Sequence, residues 1–211
     1  MSGKRSFCSN RACFAAALGL VIWSATVVCA ATARAGDEEV YLTADDAPLV
    51  IFPEGTSVVK RVVPITPALR SNIEALIAPT QPSLWEGSIP IYTVSNDGKP
   101  LGYAVLVNEI GKHRPITFVV GVTPDEKVKA VEIMVYREPK GGEVRMKGFL
   151  KQYRGKDIGQ PILAGRDIAS ISGATLSVRA VNRGTKKALA LIHLVYGPSR
   201  TALVPDGPRI P

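Results

Sequence analysis

The sequence predicts an α+β domain in which helices flank an antiparallel sheet and a long C-terminal helix begins at the stretch SGAT. Two runs of β-forming residues flank SNDGKPLG, where Asp97-Gly98 is typical of a hairpin turn. A second hairpin is predicted between ITFVVGV and VKAVEIMVY. Near the end of the chain, apolar and small side chains recur every 3 or 4 residues from Val178 to Val195, which indicates an amphipathic helix of about residues 176–196.

Three further elements are predicted before the hairpins. A short apolar helix ends at Pro53, and SVVKRVVPI forms a strand. TPALRSNIEALI then forms a helix with Thr66 as its cap and Pro67 at its first position.

Two finer expectations concern side-chain faces. In VKAVEIMVY, Val131, Ile133 and Val135 are expected on one face of the strand, because side chains alternate along a strand. The basic residues of the last helix are expected to form its solvated face. These residues are Arg179, Arg183, Lys186 and Lys187.

The N-terminal segment has the layout of an export signal. Lys4, Arg5 and Arg11 precede an uncharged run from Ala12 to Ala33, and Ala-Arg-Ala then predicts cleavage before Gly36. The run is also long enough for an uncleaved membrane anchor. Both interpretations place the body of the protein outside the cytoplasm, in the periplasm or on the extracytoplasmic face of a membrane, because the positive charges precede the apolar run.

Cysteine and charge exclude several classes of site and partner. All three cysteines lie before Gly36, so the exported body would contain no disulfide, thiolate nucleophile or cysteine metal site. Four of the 26 basic and none of the 18 acidic residues precede Gly36, so the body would hold 22 basic and 18 acidic residues. A net charge of +4 does not indicate a nucleic-acid-binding protein. No metal site is predicted either, because His113 and His193 lie far apart in the sequence without a carboxylate or cysteine cluster.

We divide the chain into four parts. Residues 1–35 are a signal peptide or membrane anchor, and residues 36–87 are an N-terminal segment of the exported body. Residues 88–197 are the main domain. Residues 198–211 are a Pro-rich tail that we expect to be flexible.

The stretch SGATLS lies where a glycine-containing turn enters the last helix. At a helix start the first N–H groups lack intrahelical partners and the helix dipole is positive, so a phosphate is stabilised there without Lys or Arg. Ser172, Thr175 and Ser177 supply hydroxyl groups. The alternative from the residues alone is that Ser172 or Thr175 only caps the helix and Gly173 only relieves a turn.

SGATLS followed by an amphipathic helix resembles the flavinylation motif of the FMN-binding domain family. That family includes the small FMN-carrying subunits of the sodium-translocating NADH:quinone reductase and of the related ferredoxin-oxidising complex. A second block, YREPKGGEV followed by FLKQYRGK, is similar to a turn and a helix that the family places before this motif. The family usually has Asp six residues before the acceptor threonine, where this chain has Ala169.

The resemblance implies a covalent flavoprotein. FMN from FAD would be attached by a flavin transferase to Thr175 as a phosphoester. The remaining residues implied in cofactor binding are Ser172, Gly173, Ala174, Leu176, Ser177, Glu138, Gly141 and Gly142, and Tyr136 and Tyr153 are weaker candidates for the flavin face. The protein would be an electron carrier more than a self-contained enzyme, with membrane or soluble redox partners and an N-terminus able to associate with a membrane.

Two other functions stay open on the sequence. One is a sensor that binds flavin or another ligand without a covalent bond. The other is a small flavin-dependent reductase, which is disfavoured because the chain has no nucleotide-binding fingerprint for NAD(P)H.

Overall fold

The structure, a computed structural model, describes residues 38–197. The predicted signal peptide or anchor and the predicted tail from residue 198 lie outside the described residues.

A six-stranded antiparallel sheet with helices on both faces forms the body, so the predicted α+β class is confirmed. The strands lie in the order β1-β6-β5-β4-β3-β2. Their bounds are β1 Glu39–Val40, β2 Ser57–Pro64, β3 Ser88–Asn96, β4 Lys99–Ile110, β5 Pro115–Val122 and β6 Val128–Tyr136. The helices are α1 Ala47–Ile51, α2 Pro67–Ile77, α3 Lys147–Leu150 and α4 Thr175–Tyr196, with 3₁₀ turns at Gly142–Arg145 and Lys151–Tyr153.

Both predicted hairpins are present. In the first turn Asp97 has φ 48° and Gly98 has φ 77°, the positive values that this two-residue turn requires. Thr66 also caps α2 as predicted, because its side chain accepts a hydrogen bond from Leu69 N at 3.2 Å.

The larger part of the core lies between one face of the sheet and α2 and α4, while α1 packs on the opposite face. Helix α4 lies very close to the sheet at Gly184, where a Cβ atom would overlap the ring of Phe118. This close packing fixes the start of α4 relative to the ends of the strands.

Strand β6 contains a β-bulge that the alternation pattern did not predict. Thr117 pairs with Val135, but Phe118 pairs with Ile133, so Met134 is an extra residue. Val135 therefore faces the α1 side, and the expectation that it shares a face with Ile133 is wrong. The bulge instead places Tyr136 on the α4 side, because one extra residue reverses the phase of the side chains that follow.

The prediction that the basic residues of α4 form a solvated face is wrong for its two lysines. Lys187 is fully buried and Lys186 is 7% exposed. Arg183 is half-buried and pairs with the fully buried Glu109, while Arg179 alone of the four basic residues is exposed. The sequence contains only the spacing of these residues, whereas the partners of Arg183 and Lys187 lie on β4 and on the segment before β3, and Lys186 donates to the Ile158 carbonyl.

Among residues 38–197, no helix is long and apolar enough to cross a membrane.

Candidate functional site

Three loops meet at one end of the sheet. The first connects β4 to β5 through residues 111–114, the second follows β6 through residues 137–142, and the third is the SGAT turn that precedes α4. Two junctions hold the loops together, one at Glu138 and one at Gly141. The structure therefore brings the two sequence blocks of the flavinylation resemblance into contact.

Glu138 joins the first two loops. Its Oε1 atom accepts hydrogen bonds from the backbone N–H groups of Lys112, His113 and Arg114 at 2.6, 2.5 and 2.8 Å. Burial raises the pKa of Glu138, but these three donors outweigh burial and hold the pKa below its usual value of 4.5. One carboxylate oxygen is thus fully used in bracing the 111–114 loop, and the predicted contact of Glu138 with a flavin stays a prediction.

We expect Glu138→Gln to reduce stability at neutral pH by about 1–3 kcal/mol, because a neutral amide accepts the three hydrogen bonds more weakly. The lowered folded-state pKa contributes stability above the unfolded-state value near 4.5, and this contribution is lost as pH falls through the folded-state pKa. Urea unfolding of both proteins, from about pH 3 to about pH 7, measures the difference in their free energies of unfolding below and above the usual pKa of glutamate. If the difference in free energy of unfolding between wild type and Glu138→Gln did not shrink in acid, a role for the charge would be contradicted.

Gly141 joins the second loop to the SGAT turn. It adopts φ +88°, in the left-handed region. A Cβ at this position would lie 2.8 Å from Ser177 Oγ, 2.9 Å from Tyr136 Oη and 3.4 Å from Ala174 Cα. Glycine is therefore required by both the backbone angle and the close approach of the two loops.

A buried hydrogen-bond chain connects β6 to the first turn of α4. Tyr136 Oη lies 2.7 Å from the carbonyl oxygen of Lys140 and 2.9 Å from Ser177 Oγ. The carbonyl can only accept, so the Tyr136 hydroxyl donates to it and accepts from Ser177. Burial raises the pKa of Tyr136, although its hydrogen bond with Ser177 opposes this shift, so the tyrosine is a neutral donor at physiological pH. The hydrogen of Ser177 is thus committed and the side chain is buried.

The SGAT turn presents Thr175 to solvent at the first position of the 22-residue helix α4. The N-cap is Ala174, and no side chain caps the helix. The interpretation of Ser172 or Thr175 as a helix cap is therefore wrong. Gly173 does relieve a turn, with φ +80°. Thr175 is left with an accessible hydroxyl beside N–H groups that have no intrahelical acceptor.

The loop that leads into this turn is braced by the second sequence block. Gln152 Oε1 accepts a hydrogen bond from Ala169 N at 2.8 Å. Asp167 accepts from Leu163 N at 2.7 Å and pairs with Lys156 Nζ at 2.9 Å. Burial raises the pKa of Asp167, but the N–H of Leu163 and the charge of Lys156 outweigh it and lower that pKa. These contacts fix the path of the chain before Ala174.

An open cleft of about 360 Å³ lies beside Gly141. Gly142, Glu143, Arg145 and Met146 line it. The volume falls within the range of small-ligand sites in proteins, about 300–1,000 Å³. The side chain of Arg145 lies over the ring of Tyr41, 4.2 Å from its centroid, so the residue after β1 contacts one of the residues that line the cleft.

The predicted site residues divide into an exposed and a buried group. Ser172, Gly173, Thr175 and Leu176 are exposed, whereas Ala174, Ser177, Glu138 and Gly141 are buried and Gly142 is half-buried. Tyr153, a candidate for the flavin face, is fully buried and donates a hydrogen bond to Asn182 Oδ1 at 2.5 Å, so it belongs to the core. The bond between Tyr136 and Ser177 was missed, because the bulge in β6 has no signal in the residue spacing.

Residues 111–190 match the sequence profile of a family described as the FMN-binding domain. This segment is an FMN-binding domain. The match covers 80 of the 211 residues and includes all three loops of the site. The family predicted from the two motifs is thereby confirmed, and FMN is the cofactor that the domain binds.

The fold is similar to the crystal structure of Shewanella oneidensis NqrC, with a TM-score of 0.41, 18% sequence identity, and coverage of 70% of this chain and 82% of that chain. No curated protein sequence gives a significant match.

The residues of the site fit a phosphate-bearing cofactor such as FMN. The helix start has no side-chain cap, so its N–H groups can meet a phosphate. The Gly141 junction lies directly beside this helix start, and the cleft begins at the next residue, Gly142. When bound, FMN supplies one- and two-electron redox chemistry, and the chain supplies position and electrostatic environment.

Within residues 38–197, no group of three or more His, Cys, Asp or Glu side chains is placed to hold a metal ion. His193, which the sequence left without an acidic neighbour, lies 2.7 Å from Glu126 and pairs with that carboxylate.

Proposed function

We propose that the protein is an extracytoplasmic electron carrier whose FMN is esterified to Thr175. The observation that carries this proposal is the exposed Thr175 hydroxyl at the first position of α4, within an FMN-binding domain and against the Gly141 junction. A flavin bound at this end of the sheet would be open to solvent and to redox partners.

The hydroxyl groups of the motif differ in their availability. Ser177 is buried and donates to Tyr136, so it is a poor acceptor for a bulky group. Ser172 and Thr175 are exposed, but only Thr175 lies at the helix start itself. A phosphoester at Thr175 would therefore keep its phosphate beside the positive end of the helix dipole, where negative charge is stabilised.

The attachment requires an external enzyme. Thr175 Oγ would form a bond to the phosphorus of the FMN half of FAD while the anhydride bond to AMP breaks. AMP leaves with the electron pair of that bond, and the hydroxyl proton passes to a base of the transferase. No general base is needed in this chain, which agrees with the absence of a carboxylate from SGATLS.

The extracytoplasmic location is supported by the sequence of the N-terminal segment. Basic residues precede the uncharged run from Ala12 to Ala33, which is the order of an export signal or anchor. A covalent bond would also retain the cofactor in a compartment where a released flavin cannot be replaced.

The test is co-expression with a flavin transferase, followed by a denaturing gel scanned for flavin fluorescence and by intact-mass measurement. We expect wild type to retain FMN and Thr175→Ala to retain none, because the ester oxygen is gone. Ser172→Ala is the matched control, since it removes another exposed hydroxyl of the same turn. Flavin released from wild type on denaturation would favour the reversible binding protein, and a fluorescent Thr175→Ala band would move the attachment to another residue.

A further inference from the structure

The loops of the site carry a concentration of positive charge. We define the basic rim as Lys112, Arg114, Lys140, Arg145 and Arg179, all of which have exposed side chains. Lys112 and Arg114 lie on the loop that Glu138 braces, and Lys140 and Arg145 flank the Gly141 junction. Arg179 lies one turn of helix after Thr175. The rim therefore lies on the segments that meet at the end of the sheet where α4 begins.

The rim contrasts in charge with the rest of the described residues. Residues 38–197 hold 20 basic and 16 acidic side chains. Without the five rim residues, 15 basic and 16 acidic side chains remain, so the rest of this region is close to neutral. The five rim residues together carry a charge of +5, whereas the other charged side chains of this region sum to −1.

Local ion pairs do not neutralise the rim. In the part of the chain that the structure describes, none of the five residues forms a salt bridge, whereas the neighbouring Arg137 pairs with Glu38 and Arg183 pairs with Glu109. The exposed acidic residue of the same loops is Glu143. The rim also borders Met146, which is 61% exposed and supplies apolar contact area next to the charges.

From this arrangement we infer that the rim is the docking surface for a redox partner protein with an acidic surface around its own cofactor. The inference rests on the proposed function, because it takes the flavin to lie within the rim. Complementary charges around two redox centres raise the rate of encounter and select the orientation in which the centres approach each other. A like-charged protein would be repelled from the same surface.

The test uses one probe protein with two charge states. Cytochrome c is basic, and succinylation of its lysines makes it acidic without changing its haem. Binding is measured by calorimetry with the Thr175→Ala protein, so that no flavin is needed for the readout. We expect the succinylated form to bind at least about tenfold more tightly than the native form at low salt, and we expect this preference to shrink as salt screens the charges.

Two charge-matched variants locate the surface. We expect Lys140→Glu/Arg179→Glu to weaken binding of the acidic probe by about tenfold. Lys60→Glu/Lys99→Glu changes the net charge equally, on β2 and on the opposite end of β4, and should weaken binding by less than about threefold. Lys140→Gln/Arg179→Gln should give an intermediate loss, and it serves as the test if the glutamate variant does not fold.

Three results would overturn the inference. The first is equal binding of the two cytochromes. The second is an equal loss of binding in Lys140→Glu/Arg179→Glu and in Lys60→Glu/Lys99→Glu. The third is binding to vesicles containing anionic lipid without binding to the acidic cytochrome. The last result would assign the rim to a membrane surface. Because the binding protein carries no flavin, failure of flavin attachment in wild type would overturn the proposed function without altering these measurements.

Discussion

A Gly141→Ala variant is expected to lose most of its covalent flavin. The left-handed backbone at φ +88° costs an alanine about 1–2 kcal/mol. In addition, the new methyl group would lie 2.8 Å from Ser177 Oγ and 2.9 Å from Tyr136 Oη, so the two loops must separate. Because Gly141 lies against the turn that carries Thr175, we expect at least about a tenfold fall in the rate of flavin loading. This fall corresponds to an increase of about 1.4 kcal/mol in the activation free energy.

Gly148→Ala is the matched control for this variant. Gly148 lies in α3, and a Cβ there would meet no atom within 4 Å. Loading rates are measured from flavin fluorescence on denaturing gels over time, and folding is checked by thermal unfolding. Equal loading of the two alanine variants would show that the Gly141 junction does not position the acceptor.

A Lys187→Met variant is expected to lower the free energy of unfolding by about 3–5 kcal/mol, the usual loss when one partner of a buried ion pair is removed. Lys187 Nζ lies 3.0 Å from Glu109 Oε1 and 3.0 Å from the carbonyl oxygens of Leu84 and Asn108. Both charged side chains of this pair are fully buried. Methionine has nearly the same volume, so the loss reports the missing charge and hydrogen bonds more than a cavity.

Arg179→Met on the same helix is the control, because an exposed side chain changes stability by less than about 0.5 kcal/mol. A double-mutant cycle with Glu109→Gln then measures the coupling between the two buried charges. Urea unfolding supplies the free energies of unfolding of wild type, the two single variants and the double variant of this cycle, and that of the Arg179→Met control. A loss below about 1 kcal/mol in Lys187→Met would mean that Arg183, which also contacts Glu109, compensates for the lysine.

The sequence predicted those features that depend on neighbouring residues. The Asp97-Gly98 turn, the Thr66 cap and the buried stripe of α4 follow from local backbone preference and from helical spacing, and all three are present. The SGAT turn was located for the same reason. Its family was identified from two ordered motifs, and the profile match confirms it.

The features that escaped prediction depend on residues that are distant in the sequence. Lys187 has the spacing of a surface lysine, and only its contact with the Leu84 carbonyl, 103 residues away, explains its burial. The role of Glu138 likewise depends on the loop 24–26 residues before it. Periodicity contains no information about such partners, because they meet only when the sheet and α4 have packed together.

The extra residue in β6 also limits how this site could be engineered into another protein. Met134 turns Tyr136 toward α4, and only from that side can its hydroxyl reach Ser177 and the Lys140 carbonyl. Copying the glycine turn and SGATLS onto a regular antiparallel hairpin would leave the tyrosine pointing to the opposite face. A transplanted site would therefore need the one-residue insertion as well as the two visible motifs.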